Sequence, residues 1–146
     1  MLRYQENNEL HKDFHGTTNT TLDYIAGNYG VEALKEILRK TGRDVYRSIH
    51  DKLAKGDASE LIEHLNWFFY REGGKYQLTV KNDEIIFEVF QCPAIAHLKK
   101  LGMPVSPYCC LQTECVNQGM CENTPWSSSL EIIGEGHCIQ TFKKGE

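Results

Sequence analysis

The stretch KYQLTVKNDEIIFEVFQCP, residues 75–93, decides the fold. Up to this point the apolar residues recur at helical spacing; here the period changes. Tyr76, Leu78 and Val80 alternate with Gln77, Thr79 and Lys81, so one face of the segment is apolar. Residues 84–90 are rich in Ile, Phe and Val, which favour strands. The two runs flank Asn82-Asp83, and that arrangement predicts a β-hairpin. Cys92-Pro93 then predicts a helix start, since proline suits the first helical position.

The chain before this stretch reads as helices. Leu10, Phe14, Leu22, Ile25 and Tyr29 recur every three to four residues, and Gly30 ends the segment. A second helix is expected from about Glu32 to Lys55. Its apolar stripe is Leu34, Leu38, Val45, Ile49 and Leu53, Gly42 is a place to bend, and Gly56 stands at its C-cap. Asp57 and Glu60 form a capping-box-like start for a third helix that carries Leu61, Leu65, Phe68 and Phe69. It stops at Gly73-Gly74.

After the first hairpin, a short helix runs to about Leu101, and a loop holds Gly102, Pro104 and Pro107. Residues 109–121 predict another helix and 123–128 a loop. Leu130–Ile133 and Cys138–Phe142, around Gly134-Glu135-Gly136, predict a second hairpin. The expected fold class is α+β, with N-terminal helices packed on a four-stranded antiparallel sheet made of two hairpins. One domain is expected over 1–146, with a helical layer over about 8–71 and the sheet and Cys-bearing helices over about 75–146. The aromatic run Trp67–Tyr70 suggests a homodimer contact.

Composition excludes several function classes. The net charge is −4, and Lys and Arg are scattered, so nucleic acid is not an expected partner. No apolar run approaches the ~20 residues of a membrane span. The opening MLRYQENNELHKDF has no apolar export core, which points to the cytoplasm. There is no G-x-S-x-G, no phosphate-binding glycine loop, no H-E-x-x-H and no dinucleotide fingerprint. The expected partner is a small molecule.

All six cysteines, Cys92, Cys109, Cys110, Cys115, Cys121 and Cys138, lie from residue 92 onward. In a reducing compartment such clustering favours metal binding or thiol chemistry over staples. Cys92 stands at a helix N-terminus, where unpaired N–H groups favour thiolate. It reads as a nucleophile, a metal ligand or a packed core residue. Cys110, Glu114, Asn117 and Cys121 fall on one expected helix face, whereas Cys109 and Cys115 point elsewhere. Cys138 alternates with Gln140 and Phe142, which sets it on the inner strand face. His11 and His15 are four apart and suit two imidazoles on one metal. His50 and His64 read as surface residues, and His97 is off the Cys92 face. The proposed ligand set is Cys92, Cys110, Cys138 and His15, holding zinc or iron. No C-x-x-C occurs, so only the fold could assemble this set.

The runs FEVFQCPAIAHLKKLG, YCCLQTECVNQGM and GEGHCIQTF resemble the L-2-amino-thiazoline-4-carboxylic acid hydrolase-like family, as does HKDFHGTTNTTLDYIAGNYGVEAL near the N-terminus. The resemblance rests on Cys92-Pro93, one cysteine of the 109–110 pair, and Cys138. It implies a hydrolase that opens a small cyclic amide- or amidine-like C–N bond, with a metal or a cysteine activating the attack. Cys92 would be nucleophile or ligand, Glu114 a base and His15 a proton shuttle. That family's pattern has an acidic residue three after the helix cysteine; here Thr113 holds that place and Glu114 follows it. A looser similarity is to vinyl-reductase-type small-molecule-binding domains. It implies the alternative, a non-catalytic module for a small ligand or a metal.

Overall fold

The computed structural model describes residues 13–145. His11 and the start expected at Leu10 lie outside the described residues. Helix α1 (Asp13–Tyr29) is followed across Gly30 by α2 (Val31–Lys40), a π-helical turn (Thr41–Val45) and α3 (Arg47–Ala54). Then come α4 (Ser59–Arg71), β1 (Lys75–Lys81), β2 (Glu84–Gln91), α5 (Pro93–Lys100), α6 (Cys109–Cys121), β3 (Trp126–Gly134) and β4 (His137–Lys144).

The fold class is the one expected. The four strands form one antiparallel sheet in the order β1-β2-β4-β3. Lys81 pairs with Glu84 across Asn82-Asp83, and Gly134 pairs with His137 across Glu135-Gly136. The hairpins join through β2 and β4, where Ile85 faces Phe142 and Phe87 faces Gln140. Ile85, Phe87, Val89 and Phe142 are buried and meet Ile49, Leu53, Leu61, Leu65 and Met120 from the helices. Alternation thus sets which sheet face is covered. A second cluster of Leu22, Leu34, Leu38 and Cys115 joins α1, α2 and α6.

Three expectations are corrected. The helix expected over 32–55 is two helices around the π turn. A π turn holds more residues per turn than an α-helix, so phase is lost across it. Val45 falls out of the stripe and is 69% exposed, while Tyr46 packs on the core instead. Gly42 is buried at this turn, where a Cβ would overlap the Val116 carbonyl oxygen and come within 2.9 Å of Met120 N. The glycine is there for close approach of α6.

Second, β3 begins at Trp126, inside the expected loop. Trp126 is buried, and Ser127 and Ser129 face outward. Serine has weak strand preference, so only pairing to β4 makes this run a strand. Third, the aromatic run does not form a surface patch. Phe69 stacks edge-on to Phe87 at 4.7 Å, Phe68 turns toward Phe14, and Tyr70 is 74% exposed. A helix sends consecutive residues about 100° apart, so four in a row cannot share a face.

Asp57 and Glu60 also divide their expected roles. Asp57 lies one residue before the N-cap Ala58 and accepts the Ser59 N–H at 2.9 Å, which lowers its carboxyl pKa. Glu60 instead accepts a hydrogen bond from Ser48 on α3.

Candidate functional site: a thiol-walled cavity

Between α1, α4, α5, α6 and β4 lies a cavity of about 350 Å³. Local sequence explains how its walls are placed. Pro93 starts α5, so Cys92 becomes its N-cap with extended backbone. The Cys92 N–H donates to the Gly136 carbonyl at 2.9 Å, which ties this helix start to the β3–β4 turn. Cys138, two residues further on, then faces the same space from β4. The amide of Asn117 on α6 donates to Gln140 on β4 at 2.8 Å, and both are buried. That bond fixes the rotation of α6. Cys110, two turns earlier on the same face, is turned into the cavity.

The loop from 102 to 108 is pinned by α1. Asn19 donates to the Pro104 carbonyl at 2.8 Å and accepts the Ser106 N–H at 2.7 Å. Ser106 Oγ donates to Asp23 at 2.6 Å. Asn19 therefore serves the loop, although it lines the cavity.

The fold brings His15, Cys92, Cys110 and Cys138 to one cavity. It does not bring them into a ligand cluster. Among the described residues, no group of three or more His, Cys, Asp or Glu side chains is set to hold a metal ion. The zinc or iron set proposed from the sequence is thus not preassembled here. Glu114 is corrected outright: it is exposed and does not line the cavity. The inward face of α6 carries Cys110, Thr113, Val116 and Asn117, and Glu114 is turned away from its centre by about a third of a turn. Cys121 belongs to the core, and Cys115 packs with Leu22, Leu34 and Leu38. Cys109, expected to point elsewhere, lines the cavity, its Sγ 3.9 Å from that of Cys110.

Burial decides the state of the thiols. At Cys92 it pushes the pKa up and outweighs the Ala94 and Ile95 N–H groups, which pull it down. The expected thiolate is therefore not the resting form. Burial also pushes Cys109 up to about 12 and Cys138 up to about 11. Cys92, Cys109 and Cys138 are therefore protonated thiols at neutral pH.

His64 is the main residue the sequence reading missed. It lines the cavity, its ring 5.3 Å from Tyr46 and 5.9 Å from Phe68. Burial lowers its pKa to about 4, so its imidazole is neutral. The signal was present: His64 follows Leu61 by three and precedes Phe68 by four, on the stripe of α4. His50 is also no free surface residue; its Nε2 lies 2.8 Å from the Glu122 carbonyl. His15 is buried, with Nε2 3.4 Å from Oε2 of buried Glu72, fifty-seven positions along the chain. Its ring lies 4.0 Å from Phe14 and 5.8 Å from His97.

One property of the wall stands out. Among the described residues, no Asp, Glu, Lys or Arg lines the cavity. Its polar groups are thiols, amides, hydroxyls and imidazoles between apolar side chains. In comparisons with known proteins, no family model matches the chain, and no curated protein sequence matches it.

Proposed function

We propose that the protein binds a small, uncharged, largely apolar molecule in this cavity. The observation that carries the reading is a wall around about 350 Å³ that, among the described residues, has no Asp, Glu, Lys or Arg. Small-molecule sites are concave, mainly apolar and carry a few polar groups for orientation. A carboxylate ligand would lose its hydration with no Lys or Arg among the described lining residues to pair with it, at a cost of several kcal/mol. That argues against 2-amino-thiazoline-4-carboxylate itself, whose carboxylate would meet no Lys or Arg among the described lining residues. Among the described residues no helix is long and apolar enough to cross a membrane. The six free cysteines fit a reducing, cytoplasmic setting.

One observation favours a second, enzymatic reading. The buried His15–Glu72 pair stands at the cavity wall, as a general base and the carboxylate that orients it would. A hydrolase of a neutral cyclic amide or amidine would use His15 to activate water. Cys92 would then line the site rather than attack, because its thiol is protonated.

The test is a panel of neutral lactams, cyclic ureas and small aromatics beside matched carboxylates. Neutral members raise the melting temperature by mass action and carboxylates do not. Preferential stabilisation by the carboxylates overturns the binding reading. Hydrolysis of a neutral lactam or cyclic urea that is lost in His15→Ala and in Glu72→Gln supports the enzyme. Binding without turnover leaves the module.

A further inference from the structure

We propose that the cavity takes a neutral trivalent organoarsenical, R–As(OH)2, whose arsenic bridges Cys109 and Cys110 while R lies against the apolar wall. The proposal rests on reading the cavity as a site for a small uncharged molecule. Both cysteines belong to the first turn of α6 and line the cavity, with sulfurs 3.9 Å apart. A single atom bonded to both sulfurs spans that gap after small side-chain rotations. Cys92 and Cys138 face the same space from the α5 start and from β4, so the arsenic enters a wall of soft donors.

The chemistry balances without an oxidant. Two As–O bonds break and two As–S bonds form. Each S–H proton leaves with a hydroxide as water, and arsenic stays trivalent. The reaction consumes S–H protons, so the raised pKa of Cys109 is no obstacle. Reactants and product are all neutral, which suits a wall with no Asp, Glu, Lys or Arg among its described residues. A divalent cation would differ on both counts. It needs buried thiolates, and it needs a ligand group that the described residues do not form.

The organic group gives the site its selectivity. The wall at His64, Leu65, Phe68 and Leu98 offers an aryl group apolar surface. Phenylarsine oxide, which hydrates to the dihydroxy form, is the probe. Reduced protein is titrated with it in excess glutathione, which displaces arsenic held by isolated thiols. The expected result is one phenylarsenic per chain by intact mass, two thiols lost, and Cys109 and Cys110 protected from iodoacetamide in peptide maps. Cys110→Ser and Cys109→Ser each abolish the adduct, and Cys121→Ser does not. The 4-carboxyphenyl analogue binds at least about tenfold more weakly.

Protection of a different cysteine pair in the wild-type peptide map overturns the proposal without relying on any variant. So does an adduct that survives in Cys110→Ser, equal binding of the carboxyphenyl analogue, or equal binding of inorganic arsenite. Absence of any adduct, while arsenic-free neutral aromatics still raise the melting temperature, removes the arsenical and leaves the neutral-ligand reading standing.

Discussion

At His64, burial sets a pH dependence for the whole protein. The folded-state pKa is lowered from 6.5 to about 4, so the unfolded chain binds a proton that the folded one does not. The contribution is fully present above about pH 6.5 and is lost as pH falls toward 4. Its full size is roughly 3 kcal/mol, from 1.36 kcal/mol per unit. Urea unfolding between pH 7 and 4.5 should therefore show stability falling with acid, and His64→Phe should flatten that slope. An unchanged slope in the variant would assign the acid sensitivity elsewhere. Cys92 gives a second residue-scale test. Burial raises its pKa, so its alkylation by iodoacetamide should be slow near pH 7.5 and still rising above about pH 9. A plateau below about pH 8 would show an activated thiolate and return Cys92 to the role of nucleophile.

Between elements, the π turn and the end of α2 cross α6 at backbone contact. A Cβ on Gly42 would overlap the Val116 carbonyl oxygen, and one on Gly119 would overlap that of Arg39. Both partners are backbone, which cannot rotate away. Gly42→Ala and Gly119→Ala should each cost roughly 3 kcal/mol or more, read as a lower urea midpoint. Gly27→Ala, where a Cβ meets nothing within 4 Å, serves as the control and should be neutral or slightly stabilising. The same crossing explains why sequence alone misplaced part of the second helix. The stripe Leu34, Leu38, Ile49 and Leu53 was legible and is buried. Val45 obeyed the same period yet is exposed, because the π turn spends an extra residue there.

At the scale of the whole molecule, the proposed ligand binding requires an open cavity. Thr113 lies on the inward face of α6 and is half-buried. Thr113→Phe should fill part of the space and leave stability within about 1 kcal/mol of wild type or above it. It should also abolish the melting-temperature rise given by neutral ligands. Retained ligand response in a folded Thr113→Phe protein would place the binding site elsewhere.

The sequence by itself determined the elements that local periodicity controls. The switch from helical spacing to alternation at residue 75, the turns at Asn82-Asp83 and within Gly134-Glu135-Gly136, and Pro93 as a helix start all follow from short-range sterics and hydrogen bonding. The chain also showed which thiol-bearing segments could meet. Whether they formed a reactive centre was decided only by tertiary packing. The helix start at Cys92 favours thiolate locally, but a protonated thiol results because burial removes water from it. Glu114 shares a nominal face with Cys110, but the Asn117–Gln140 bond sets the rotation of α6 and turns Thr113 inward instead. His15 meets Glu72 across fifty-seven residues, and no local pattern records that pairing. Charge, water and approach at a site depend on every element around it, so the make-up of the cavity wall exists only in the assembled fold.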